Sequence, residues 1–321
     1  MNENISFEIF KKEVDEGLSG NTKSLPSKYF YDDRGSLLFQ EIMKLPEYYL
    51  TRCEHEIFED HKERIADQVK MDGHILDLIE LGAGDGTKTQ ILLAQMLNKN
   101  IRFRYLPVDI SSESNARLHR RLRSVLPKLE IETISTEYFD ALNNLAKTSR
   151  NPKLVLFLGS NIGNFSPGES RAFFKTLAET LDKGDLLICG FDLKKGPDQI
   201  LAAYNDGSGV TREFNLNLLH RLNRELGADF VVDNFDHYPV YDPETGAAKS
   251  YLISRKKQRV QITALNKTFS FDEWEPIFTE ISKKYDLDMI NDLAERNGFS
   301  VKDNFIHDKS LFVDSLWECT G

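Results

Sequence analysis

The sequence predicts an α/β protein: a parallel sheet that ends in an antiparallel C-terminal hairpin and carries an inserted α+β lobe. Three observations predict it. An apolar run at 75–81 breaks into Gly82, Gly84 and Gly86 and then re-enters a segment with helical spacing. Strand-like and helical patterns alternate from there to residue 193. Two strand-like runs, 300–306 and 310–317, close the chain a short turn apart. Repeated β-α units give parallel strands joined by right-handed crossovers, whereas two strands so near in sequence pair as a hairpin.

Taken in order, the first sheet strand is the run of Ile75, Leu76, Leu78, Ile79 and Leu81, apolar enough for burial on both faces. The helix after the turn places Leu92, Leu93 and Met96 on one face. Residues 102–110 read as a second strand ending at Asp109, 112–126 as a helix and 129–135 as a third strand. KLVLFLGSNIGNF begins with a fourth strand through Leu158 and turns at Gly159 and Gly163. Phe173, Leu177 and Leu181 share a helix face, and 185–193 is a fifth strand. MINDLAERNGF reads as a helix stopped at Gly298. Two regions fall outside this pattern. The segment up to Cys53 is helical and aromatic-rich, and residues 195–284 interrupt the sheet with helices at 199–204 and 214–226 and strand-like runs such as KSYLISRKKQRVQI. Residues 1–53 and 195–284 read together as one substrate-binding lobe packed over the open end of the sheet. Residues 54–194 and 285–321 make the sheet domain.

A chain of 321 residues can bury a sizeable core in one large or two modest domains. Its formal net charge of −10 argues against broad binding to nucleic acid or an anionic membrane, which needs a basic face. The run Arg255-Lys256-Lys257 reads as a solvated loop or strand end. No N-terminal stretch has a signal peptide's apolar core, and no apolar run approaches membrane-spanning length. The three cysteines, Cys53, Cys189 and Cys319, are odd in number and far apart, which suits reduced thiols in a cytoplasm. Seven scattered histidines show no metal-ligand spacing, so no metal is expected.

Strand, glycine turn and helix let a backbone approach a nucleotide-like ligand closely. The dinucleotide fingerprint is incomplete, because its third glycine would fall at Thr87. Glu80, two residues ahead of Gly82, is a second departure. An acidic residue there, followed by G-x-G, resembles motif I of the class I S-adenosylmethionine-dependent methyltransferases, a Rossmann-like fold. Their cofactor has no pyrophosphate, and its amino-acid part carries an ammonium. A strand-to-helix turn with no ligand is the other reading.

In parallel sheets ligands sit beyond the carboxyl ends of the strands. Asp109, 25 residues after Gly84, ends the second strand, where a carboxylate can accept both ribose hydroxyls. Equally it could cap the helix from Ser112. Glu137 and Tyr138 follow the third strand and could flank an adenine, one reading the ring's amine and the other covering its face. Lys88, one turn into its helix, is either a solvated surface residue or a ligand for the cofactor's methionine carboxylate. Asn164, in GSNIGN after the fourth strand, offers both a donor and an acceptor, which suits an amine and a carboxylate together. It could also simply shape the turn.

Several segments together, KYFYDDRGSLLFQEIMKLPEYYLTR, IELGAGDGTKT, FLGSNIGNFSP, AAYNDGSGVTREFNLNLLHRLNRELGADF and FTEIS, resemble the histidine-specific S-adenosylmethionine-dependent methyltransferases. The best known member of that family makes the trimethylated histidine betaine hercynine on the route to ergothioneine. The resemblance runs from about Lys28 to the C-terminus. It implies cofactor contacts from Gly82, Lys88, Asp109, Glu137 and Tyr138, although the family often has Asp-Phe at the last two positions. It also implies that Tyr31, Tyr48, Gly159, Asn164 and Tyr204 surround the substrate's amino and carboxylate groups, with Tyr31, Tyr48 and Asn164 nearest the chemistry. Read without it, Tyr48 would be a core or interface tyrosine. Glu280 and Ser282, two apart and so on one face of an extended segment, would hold the imidazole. The pocket wall that the family often fills with methionine is Ser250 here, and a smaller polar wall leaves room for other side chains. Some fungal relatives with this fold methylate a tryptophan-derived amine.

The implied reaction is methyl transfer from S-adenosylmethionine to the α-amine of histidine, repeated up to the quaternary ammonium. The alternatives are the same fold acting on tryptophan or another aromatic amine, a cofactor-binding protein without turnover, and a nicotinamide dehydrogenase. The incomplete fingerprint and Glu80 disfavour the last. Methylated product from a panel of amino acids separates the first two readings from the others.

Overall fold

The computed structural model describes residues 3–71 and 73–321. They gather into two compact units: the chain up to Tyr49 with Lys195–Lys283, and Leu50–Lys194 with Lys284–Gly321. The first unit opens with helix α1 (Glu3–Ser19), strand β1 (Lys23–Ser24) and helix α2 (Asp33–Ile42). Asp32 caps α2, its carboxylate accepting the Gly35 amide at 2.7 Å. Next come α3 (Tyr49–Val69), β2 (Leu76–Leu81), α4 (Thr89–Asn98), β3 (Phe103–Asp109) and α5 (Ser112–Val125). Then follow β4 (Ile134–Ser135), α6 (Tyr138–Thr148), β5 (Lys153–Phe157), α7 (Pro167–Thr180) and β6 (Leu186–Asp192). The first unit resumes with α8 (Pro197–Ala203), α9 (Val210–Leu226), β7 (Phe235–Asp242), β8 (Ala247–Ser254), β9 (Gln258–Ile262), β10 (Lys267–Phe271) and β11 (Pro276–Lys283). The chain closes with α10 (Leu287–Glu295), β12 (Phe299–Ile306) and β13 (Phe312–Cys319) in the second unit.

The second unit is built on a seven-stranded sheet in the order β12-β13-β6-β5-β2-β3-β4. The five strands from β4 to β6 run parallel, while β13 is antiparallel to both β6 and β12. This is the class I methyltransferase sheet that the motif resemblance implies. Strand order reverses between β2 and β5, which opens a crevice beyond their carboxyl ends. All six residues of β2 are buried, as an apolar strand covered on both faces requires. Ile79, Leu81, Val155, Phe157, Phe191 and Trp317 lie in the core of this unit. Helix starts are set by local chemistry. Ser111 accepts the Ser114 amide at the head of α5, and Ser166 and Glu169 form a reciprocal capping box on α7 with Pro167 in its first turn.

The third strand is shorter than the pattern at 129–135 suggests. Only Ile134 and Ser135 pair as a strand, with an isolated bridge from Ile131 to Tyr105. β4 lies at the edge of the sheet, so the chain can leave the ladder there without orphaning a second row of backbone groups.

In the first unit β1, β11, β8 and β7 form a four-stranded sheet, and β9 and β10 pair separately. β8 is antiparallel to both neighbours and β1 runs parallel to β11. Ala248, Ser250, Leu252 and Ser254 are buried, so β8 alternates from Ala248 onward and one face of this sheet is covered. Phe30, Phe214, Leu218, Leu222, Phe235 and Ile277 belong to the same core. The basic run 255–257 is exposed between β8 and β9, as a solvated loop. The three cysteines are buried, and none is in a disulfide among the described residues. Among the described residues no helix is long and apolar enough to cross a membrane.

Candidate functional site

The glycine turn after β2 approaches its neighbours closely. Gly82 has φ +76°, and a Cβ there would stand 2.7 Å from the Tyr138 hydroxyl. Its amide donates to Val108 O at 2.9 Å, which fixes the turn to the end of β3. Asp109 follows, half-buried, with one carboxylate oxygen accepting the Ser111 amide at 2.8 Å. The cap of α5 is Ser111 and not Asp109, which resolves the alternative left open by the sequence. Burial raises the Asp109 carboxyl above its ordinary range. Glu137 is exposed at the head of α6 and makes no capping bond with its side chain. Tyr138, next to it, packs edge-on against Phe157 at 6.3 Å. Its hydroxyl is pushed up to about 12 by burial, with the Asp109 and Glu137 charges adding to the shift. Gly82, Asp109 and Tyr138 thus frame one end of the sheet with a close backbone, a carboxylate able to accept from a diol, and an aromatic face.

Glu80 has a different role from facing a ligand ammonium. It is buried, and its two oxygens accept from Thr89 Oγ1 at 2.7 Å and from the Tyr105 hydroxyl. It ties β2 to β3 and to the start of α4, and so holds the glycine turn from beneath. Burial raises its carboxyl to about 7, against the two hydroxyl bonds that favour the ionised form.

Lys88 also departs from expectation. It stands at the N-cap of α4, before the helix and not one turn into it, and its side chain is largely buried. Its ammonium pairs with Glu54 of α3. Burial alone would pull Lys88 down, but the charge of Glu54 and its hydrogen bond outweigh it and keep the ammonium charged. The other Glu54 oxygen accepts the Gly159 amide at 2.6 Å. Gly159 has φ +78°, a conformation that glycine adopts without strain. Asn164 is half-buried at the end of the 3-10 turn that follows.

The remaining expected site residues belong to the first unit. Tyr204 ends α8 and is buried, and its hydroxyl donates to Ser282 Oγ at 2.7 Å. Ser282 is buried on β11, two residues beyond Glu280. A bulge lies between Phe278 and Glu280, so the regular alternation holds from Glu280 onward. Glu280 stands opposite Ser250 of β8, and Ser282 opposite Ala248. Glu280, Ser250 and Ser282 therefore share a face. The Ser250 hydroxyl lies 3.4 Å from His237 Nε2 on β7, and burial takes that imidazole down to about 4. Tyr31 is exposed, with its ring edge-on to Phe39 at 5.4 Å and Phe214 at 5.5 Å. Tyr48 is half-buried and also meets Phe39 edge-on, at 6.0 Å.

Sequence reasoning passed over Glu54, Asp314, Gly190 and His237. Glu54 had a readable signal: it falls on the stripe formed by Leu50, Ile57 and Phe58, where a charge is out of place without a partner. Asp314 interrupts the apolar run of β13 in the same way. Nothing local marks Gly190 or His237, whose neighbours come from other strands.

The model of a family described as histidine-specific, S-adenosylmethionine-dependent methyltransferases matches residues 10–319. A histidine N-alpha-methyltransferase from Mycolicibacterium smegmatis is 36% identical, over 87% of this chain and 85% of its own length. One from Mycobacterium tuberculosis is also 36% identical, over 86% and 84%. An L-tryptophan methyltransferase from Psilocybe serbica is 28% identical, over 91% of this chain and 87% of its own. With the family model spanning nearly the whole chain, this protein belongs to the histidine-specific, S-adenosylmethionine-dependent methyltransferases.

Proposed function

We propose that this enzyme transfers methyl groups from S-adenosylmethionine to the α-amine of L-histidine, up to the trimethylated betaine. The observation that carries the choice of side chain is the bond from Tyr204 to Ser282. A serine hydroxyl that accepts from a tyrosine is turned to donate its own proton. A carboxylate two residues away can only accept when ionised. A neutral imidazole has one N–H and one bare nitrogen, which matches that pair. An indole has a single N–H and no bare ring nitrogen, so it cannot accept from the Ser282 hydroxyl.

The cofactor set is Gly82, Asp109, Glu137, Tyr138 and Lys88, a diol acceptor, an adenine frame and a cation for the amino-acid carboxylate. When bound, S-adenosylmethionine supplies an electrophilic methyl on a sulfonium. The amine must present a neutral lone pair in line with that methyl, so the protein's task is orientation and retention of the deprotonated amine. Asn164 would supply an amide, Tyr31 and Tyr48 hydroxyl groups, Tyr204 its hydroxyl oxygen and Gly159 its carbonyl oxygen for the substrate's amine and carboxylate, since the Gly159 N–H is given to Glu54 and the Tyr204 proton to Ser282. No covalent nucleophile is needed. Ser250 makes the wall beside Glu280 small, so tryptophan is the competitor to measure. Three buried thiols outside any disulfide suit a reducing cytoplasm as the place of work.

Steady-state rates with histidine and tryptophan test this reading on the wild type and on Glu280→Ala. Histidine is expected to be preferred by the wild type. Glu280→Ala should lose at least tenfold on histidine, equivalent to about 1.4 kcal/mol, and gain relative activity on bulkier side chains. An unchanged preference would place side-chain recognition elsewhere, and turnover of tryptophan alone would reject histidine as the substrate.

A further inference from the structure

Beneath the two glycine turns of the second unit lies a cluster that no ligand contact explains. Glu54 and Asp314 both have side chains without solvent exposure. They come from α3 and β13, and Gly190 of β6 pairs with Asp314 across the sheet. A Cβ built on Gly190 would stand 2.4 Å from Glu54 Oε1 and 3.1 Å from Asp314 Oδ1. The two carboxyl groups therefore share the space that a side chain at position 190 would fill. Neither Asp314 oxygen has a hydrogen-bond partner among the described residues, and the cation facing this pair is Lys88. Two adjacent buried carboxylates beside a single ammonium cannot both stay ionised. Burial, then the Glu54 charge, pushes Asp314 well above the usual carboxylate range against the pull of Lys88.

We infer that Glu54 and Asp314 form a carboxylate–carboxylic acid pair of one negative charge, in which Glu54 is the positioning residue that holds Lys88 charged and aimed at the cofactor's amino-acid end. The inference rests on the reading of Lys88 as the ligand of the cofactor carboxylate. Glu54 reaches two parts of the site at once: one oxygen fixes the Lys88 ammonium, and the other fixes the Gly159 amide. Asp314, kept neutral, adds no second charge and leaves Lys88 able to accept an incoming anion. Without Glu54, the partial burial of this ammonium would pull it toward losing its proton. The glycine at 190 is required for room, since a methyl there would displace Glu54.

Calorimetry with two ligands tests this. S-adenosylhomocysteine carries the amino-acid end, whereas 5′-methylthioadenosine keeps the nucleoside and thioether without it. Glu54→Gln is expected to weaken S-adenosylhomocysteine at least tenfold and to change 5′-methylthioadenosine less than twofold. Gly190→Ala should show the same selective loss. Equal weakening of both ligands, or no weakening of either, would overturn the positioning role and leave Glu54 a part of the fold. Lys88→Met separates the premise from the inference. If it binds S-adenosylhomocysteine as tightly as the wild type, the reading of Lys88 as a carboxylate ligand fails, whatever Glu54 does. The shared proton has its own signature: a carboxylic acid carbonyl stretch in the infrared spectrum at neutral pH that disappears in Asp314→Asn. Absence of that band would show Asp314 ionised and reject the pair.

Discussion

Asp109 ends β3 with one oxygen committed to the Ser111 amide, so its removal takes away a charge at a strand end without deleting a helix cap. Asp109→Ala should weaken S-adenosylhomocysteine binding by roughly 1.5–3 kcal/mol, the size of a charge-assisted hydrogen bond, which calorimetry measures directly. Glu80 gives a prediction in pH. Its folded value of about 7 lies above the ordinary 4.5, so between those limits the folded chain holds a proton that the unfolded chain has released. Stability from this group is complete below the unfolded value and is lost as pH rises through the folded one. Against the non-titrating Glu80→Gln, the wild type should therefore lose stability between about pH 5 and about pH 8 in denaturant titrations. A constant difference across that range would contradict the raised value. At this scale the sequence was legible where a residue follows from strand-end or turn position, as for Gly82 and Asp109. It was opaque where the role depends on a partner in another element. Lys88 looked like a surface lysine because its partner Glu54 lies 34 residues earlier on α3, and Glu80 looked like a ligand group because Tyr105 and Thr89 are brought to it only by the fold.

Elements were recovered where one signal sufficed. The apolar β2, the helices α4, α5, α7, α8, α9 and α10 and the closing hairpin all follow from periodicity and turn chemistry, and the start of α7 is written in Ser166, Pro167 and Glu169. Ser166→Ala should cost about 1 kcal/mol of stability, read as a lower thermal midpoint, and leave S-adenosylhomocysteine affinity unchanged. A loss of affinity would mean that α7 does more than pack. Two features had no such signal. β4 is clipped because an edge strand has no second neighbour to hold it. The bulge in β11 inserts one residue ahead of Glu280, and only the residues beyond it keep the two-residue alternation that places Glu280 and Ser282 on one face. Glu280 and Ser282 share that face because both lie on the same side of the irregularity.

At the scale of the molecule the chain alternates between its two units, with three crossings near Tyr49, Lys194 and Lys283. Phe10, Val14, Leu18, Leu25, Phe30 and Ile42 are buried in the same core as Phe214 and Ile277, although some two hundred residues separate them in sequence. A chain lacking residues 1–49 should therefore expose apolar surface, bind a hydrophobic dye and lose histidine turnover. Retained turnover would show that residues 195–283 suffice alone. The parallel pairing of β1 with β11 carries a further consequence, because Lys23 and Ser24 edge the very strand that bears Glu280 and Ser282. Recombination among relatives cannot move substrate preference as a single block. A crossover that transplants residues 195–283 alone would seat a foreign β11 against a native edge strand, so segments at opposite ends of the reading frame are inherited as a linked pair, and a swapped preference calls for chimeras with both exchanged.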